Sequence, residues 1–220
     1  MSDYPADIYT EPTPDPDTLA NLGPLARIAG VWESAVGIDV NPKADGPEHQ
    51  AFVERIELQP IDAQTNGPQL YYGLRYHTRI VKPGEVEAFH DQVGYWLWEP
   101  ATGTLIQTLS IPRGQVALAM GRATADARTF TVAAVRGSTV NGISSNPFLE
   151  AAFRTDRYAI TITTHDDGTW SYAQETTLVI PGQPEPFAHT DRNTLVRTAA
   201  PTPNPTALQA LAEASGKAPA

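Results

Sequence analysis

From Phe52 to Arg197 the chain alternates apolar and polar side chains with a period of two, segment after segment, and no helical crossover interrupts the pattern. Period two puts successive side chains on opposite faces of a strand. The alternating segments are Phe52–Leu58, Leu70–Val81, Ala88–Glu99, Thr104–Ile111, Gln115–Gly121, Thr129–Arg136, Tyr158–Thr164, Trp170–Ile180 and Phe187–Arg197. Turn sequences join them, including Pro100-Ala-Thr-Gly103, Pro112-Arg-Gly114 and His165-Asp-Asp-Gly168. Short links force consecutive strands to pair antiparallel, because a parallel neighbour needs a long crossover. The expected fold is all-β: an antiparallel up-and-down barrel of about ten strands, with a short N-terminal helical segment and a short C-terminal helix. Long strands such as Leu70–Val81 favour a closed barrel over an open sandwich, and a barrel of this size has room for a ligand. Three segments interrupt the rhythm and read as extra loops: 42–50, 60–69 and 138–152, the last with a helical turn.

The ends differ from the middle. Residues 1–18 are rich in proline and acid and read as an extended arm. Residues 19–198 read as the barrel domain. Its entry carries Leu19, Leu22, Leu25 and Ile28 at helical spacing, interrupted at Gly23-Pro24. Residues 199–220 read as a proline-rich tail with a helix over Thr206–Ser215, capped by Asn204 or Thr206. The N-terminus has no basic region followed by an apolar one, and no apolar run approaches a membrane span. The expected location is the cytoplasm.

Composition removes whole classes of chemistry. Among 220 residues, 15 are basic and 25 acidic, for a net charge of -10. That balance excludes a general nucleic-acid binder and opposes adhesion to anionic lipid. There is no cysteine, which excludes disulfides, thiol catalysis, Fe–S clusters and covalently attached haem. Phosphate-loop, dinucleotide, zincin and nucleophile-elbow motifs are absent.

Five histidines remain as candidates. His49 lies in a polar stretch read as a loop, and His165 in a hairpin turn. His77 shares strand parity with Arg75 and Arg79, which suits a hydrated face. His90 shares a face with Gln92, Trp96 and Trp98, and either lines a pocket or is a satisfied core residue. Hydrolytic chemistry by His77 or His90 beside Asp91 has no distinctive spacing behind it. His189 opens the last strand in Glu185-Pro-Phe-Ala-His-Thr-Asp191. A neutral imidazole facing an apolar cavity is a natural axial ligand of haem iron, whereas a hydrogen bond to Asp191 or to a carbonyl would make it structural. Its facing depends on register, since a one-residue offset turns it outward.

Four pieces of sequence, in order, resemble the nitrobindin family. They are Leu22-Gly-Pro-Leu25 with Gly30-Val-Trp32, then His90-Asp-Gln-Val-Gly-Tyr95, then Trp98-Glu-Pro-Ala-Thr-Gly103 with Pro112-Arg-Gly114, and finally Gly182-Gln-Pro184 with His189 and Thr194-Leu-Val-Arg197. The resemblance implies a fatty-acid-binding-protein-like, lipocalin-like barrel holding b-type haem. It places His189 on the iron and His90, Trp32, Tyr95 and Trp96 around the cofactor, with no separate catalytic side chain. It also implies binding of nitric oxide, or isomerisation of peroxynitrite to nitrate. A haem-free barrel for a hydrophobic small molecule is the alternative. The expected partners are a small molecule and a second copy in a homodimer, with neither nucleic acid nor membrane.

Overall fold

Ten strands close into a ring in the computed structural model, which describes residues 5–216. The ring runs β1 (Gly30–Lys43), β2 (Gly46–Pro60), β4 (Gln69–Val81), β5 (Ala88–Glu99), β6 (Thr104–Ile111), β7 (Gln115–Arg122), β8 (Thr129–Val135), β10 (Arg154–Thr164), β11 (Trp170–Val179) and β12 (Phe187–Ala199). β12 then pairs with β1, and β2 pairs with β4. Two three-residue strands lie off the ring: β3 (Gln64–Asn66) on β4 and β9 (Ile143–Ser145) on β7. The parts of the arm and tail read onto residues 1–4 and 217–220 lie outside the described residues. No described helix is long and apolar enough to cross a membrane.

The three segments read as loops carry more structure than their composition suggested. Residues 42–50 belong mostly to a long β1–β2 ribbon, in which Val40 pairs with His49 and Asn41 with Glu48. His49 is therefore a strand residue. Segment 60–69 contains β3, and 138–152 contains β9 and the helix α2 (Pro147–Ala152). Polar hairpins beyond the edge of a core lack the apolar face that reveals a strand.

Alternation sorts the side chains. Phe52, Glu54, Ile56 and Leu58 of β2 and Tyr72, Leu74, Tyr76 and Thr78 of β4 are buried in the interior. On β12 the inward set is odd-numbered and includes Asn193 and Leu195. On β1 the parity changes midway. Trp32 is buried on even count, a bulge intervenes between Ser34 and Gly37, and Asp39 is then buried on odd count. A bulge adds one residue to one strand and so resets which face it presents.

One end of the barrel is sealed. The helix α1 (Thr18–Asn21) and a 3-10 helix (Gly23–Ile28) lie across it and bury Leu22, Leu25 and Ile28 completely. Trp32 donates its indole N–H to Ile28 O at 2.8 Å and stands edge-on to Trp170, ring centres 6.0 Å apart. Gly23 sits at φ +53°, where a Cβ would come within 2.5 Å of the Trp98 ring. Only glycine combines that backbone with that contact. The tail returns to the same end. Asn204 accepts a hydrogen bond from Thr18 N and donates to Pro16 O and Asp62 Oδ1, just ahead of helix α3 (Pro205–Ala214).

Candidate functional site

The opposite end of the barrel gathers titratable groups. β12 turns His189, Asp191 and Asn193 toward the interior along its odd-numbered face. β1, after its bulge, brings Asp39 into register with Asp191. The result is a contact that joins residues 150 positions apart: His189 Nε2 lies 2.6 Å from Asp39 Oδ1 and 3.9 Å from Asp191 Oδ2. Asn41 Nδ2 donates to Asp39 Oδ2 at 2.8 Å, and Gln174 Nε2 donates to Asp191 Oδ2 at 2.8 Å.

Burial and pairing set the charges. Burial opposes the ionisation of Asp39, but hydrogen bonds from His189 and Asn41 outweigh it and hold its carboxyl below the ordinary range. Burial likewise opposes the His189 cation. The bond to Asp39 and the fields of the two aspartates overcome it and raise the imidazole pKa. Asp191 goes the other way. Burial, helped by the neighbouring Asp39, pushes its pKa up to about 7. Asp39 is thus the anionic partner, and His189 Nε2 donates the proton between them.

His90 projects from β5 into the interior. Its Nε2 lies 3.3 Å from Gln92 Oε1. Burial pushes its pKa down, so it is a neutral imidazole near pH 7. The field of His189 reaches it, as does that of Arg113 in the β6–β7 turn. Arg113 donates to Phe89 O at 3.2 Å, and its charge acts on His189 as well. Behind His90 runs a buried polar chain. Gln92 Nε2 donates to Tyr76 Oη at 2.6 Å, Tyr76 Oη donates to Thr108 O at 3.1 Å, and Tyr158 Oη donates to Gln107 Oε1 at 2.8 Å.

The sequence candidates fall into two groups. His189 and His90 come together at this end. Trp32 and Trp96 do not join them through any hydrogen bond. Trp32 belongs to the sealed end, and Trp96 packs edge-on against Phe130, ring centres 6.0 Å apart. Tyr95 stands on the outer face, partly exposed, because its odd position on β5 points away from the interior. His77 is also outside, where it pairs with Asp91 at 3.1 Å. His165 bonds Ser171 Oγ at 2.9 Å in its hairpin. Sequence reasoning missed Asp39, Asn41, Gln174 and Arg113. Parity on β11 and β12 marks Gln174 and Asp191 as inward. Asp39 is hidden by the bulge that precedes it.

This arrangement can hold and polarise a histidine ligand and can offer a neutral imidazole and a cationic field to a small anion. A family model described as "THAP4-like, heme-binding beta-barrel domain" matches residues 21–197. Among solved structures, the crystal structure of Rv2717c from M. tuberculosis is similar, with a TM-score of 0.53 at 20% identity. The likeness covers 82% of this chain and 97% of that one. No curated protein sequence matches.

Proposed function

This chain belongs to the THAP4-like haem-binding β-barrel family, the nitrobindin family, and from that premise we propose that it binds b-type haem at the polar end of its barrel through His189. The observation that carries the reading is the inward-facing His189 with Asp39 accepting its Nε2 proton at 2.6 Å. Histidines that hold metals characteristically give their other ring proton to a carboxylate, which fixes the tautomer and raises ligand basicity. With Nε2–H committed to Asp39, the lone pair resides on the other ring nitrogen. Haem bound here is noncovalent, since no cysteine exists to attach it.

When bound, the haem supplies an iron centre for a small ligand, and the chain's own residues set the conditions around it. Asp39 keeps His189 oriented and electron-rich. Arg113 places a positive field at this end, which suits haem carboxylates or an incoming anion. His90, neutral by burial, turns its one ring N–H to Gln92 Oε1 and so presents an acceptor nitrogen to a ligand without adding charge. That set fits nitric oxide binding and the isomerisation of peroxynitrite to nitrate. A hydrophobic ligand gains little from a lining that includes Asp39, Asp191, Gln92 and Gln174.

Hemin titration tests the reading. The wild-type chain is expected to take up one hemin with a shifted Soret band, and His189→Ala to lose that shift. An unshifted wild-type spectrum, or a shift that survives His189→Ala, overturns it. With hemin bound, nitric oxide should change the Soret band, and stopped-flow mixing should show faster decay of peroxynitrite to nitrate than buffer alone.

A further inference from the structure

We propose that Asp39, His189 and Asp191 also form a site for a single divalent transition-metal ion of the zinc class, held by side chains alone and without a porphyrin. The donor atoms of the three residues all lie within 4.8 Å of one another. Ligands of a tetrahedral ion bound at about 2.1 Å stand about 3.4 Å apart. The observed separations of 2.6 and 3.9 Å fall on either side of that spacing, so the His189–Asp39 pair opens by roughly 0.8 Å and the His189–Asp191 pair closes by roughly 0.5 Å when the shell forms.

Two further features support a metal site over a simple cluster of acids. The ligands are fixed by the barrel itself, because Asp39 and Asp191 are register partners on adjacent strands and His189 lies on the same inward face as Asp191. Each carboxylate is oriented from outside the triad by an amide, Asn41 for Asp39 and Gln174 for Asp191. Such outer contacts commonly aim metal ligands. Among the described residues, His189 is the sole ion partner of either carboxylate. A divalent ion with both carboxylates and a neutral imidazole makes a neutral set.

The donor types define the ion. One imidazole with two carboxylates suits zinc, iron(II) or manganese(II), whereas calcium and magnesium prefer all-oxygen shells. Three protein ligands leave a coordination position open, as in catalytic rather than structural zinc sites. The proposal goes beyond the haem reading and shares His189 with it, so one histidine cannot serve both groups at once.

Calorimetric titration of the metal-stripped full chain with Zn²⁺ tests this, with Co²⁺ as a visible-absorption probe of the ligand geometry. The expected result is one ion per chain, with cobalt ligand-field bands and a Zn²⁺-dependent rise in melting temperature. Asp39→Asn and Asp191→Asn keep the side-chain shape, and each is expected to weaken Zn²⁺ binding by at least about tenfold. Melting curves without metal establish that both variants are folded. No stoichiometric Zn²⁺ uptake by the wild type, or wild-type affinity in both folded asparagine variants, overturns the proposal. Zn²⁺ uptake without a hemin Soret shift sustains it and removes the haem reading. A Soret shift without Zn²⁺ uptake does the reverse.

Discussion

Glu54 lies inside the barrel wall, 2% exposed, with Tyr172 Oη and Asn193 Nδ2 both donating to its Oε2, at 2.9 and 2.8 Å. Burial pushes its pKa up from 4.5 to about 7, against the pull of those two donors. A carboxyl with a raised folded pKa stabilises the protein relative to its unfolded chain below the unfolded value, and that contribution is lost as pH rises through the folded one. Glu54 therefore favours the folded state at pH 4.5 and penalises it by about 3 kcal/mol, as an upper figure, above pH 7. Glu54→Gln removes the titration and keeps an acceptor for Tyr172 or Asn193. The difference in urea-unfolding free energy between variant and wild type should swing in favour of the variant between pH 4.5 and pH 8. A constant difference would mean that Glu54 stays ionised throughout. The alternation made Glu54 legible as inward, since it shares parity with Phe52 and Ile56. Its partners on β11 and β12 were not legible, because strand order alone does not give register.

At the scale of elements, α3 shows how a helix can be capped from elsewhere in the chain. Asn204 holds the N-cap position but gives its side chain to Thr18, Pro16, Asp62 and the Thr206 hydroxyl and caps no backbone N–H of the helix. Asp62 takes over, and its Oδ1 accepts from Thr206 N at 3.0 Å and Thr206 Oγ1 at 2.9 Å. Hydrogen bonds from Asn204 and Thr206 hold the Asp62 carboxyl below the ordinary range, so the cap weakens as pH falls through that depressed value. Asp62→Ala should destabilise the helix by about 1 kcal/mol, as for other lost caps. Hydrogen exchange should quicken over residues 205–214 while the barrel amides keep their protection. Asn204→Ala should be more severe, about 1–3 kcal/mol in global stability, because it strands the buried Thr18 amide. Chemical unfolding of the two variants separates the cases. The sequence announced α3 with its cap at Asn204 or Thr206, but the cap from Asp62 bridges 144 positions and leaves no local signal. The same limit hid Asp39. Counting alternate residues from Trp32 places it outward, and only the bulge before Gly37, unmarked in Glu33-Ser-Ala-Val, brings it in.

The whole molecule separates its two tasks along the barrel axis. The sealed end holds Trp32, Trp170 and the helical plug, and the other end holds the charged site. Nine wall strands were legible from alternation along their lengths, and β1 was not, because its bulge breaks the alternation; the pairing of polar groups at the site depends on closure of β12 against β1. Leu195 probes this separation. It is fully buried at the sealed end, in register with Trp170 and on the strand that also carries His189. Six residues of strand put the two roughly 20 Å apart. Effects of sites more than about 7–10 Å apart normally add. Leu195→Ala should cost about 2–5 kcal/mol through lost burial and the cavity left behind. The loss should appear as one cooperative shift, since strands of a closed ring have no independent edge. Hemin at 100 times its dissociation constant should then stabilise wild type and variant alike, by about 2.7 kcal/mol. Denaturant unfolding with and without hemin measures both terms in one experiment. Equal increments would show that the sealed end sets stability and leaves ligand binding untouched. A smaller increment in the variant would mean that the packing around Leu195 reaches His189 along β12, and that the two ends of the barrel are one mechanical unit.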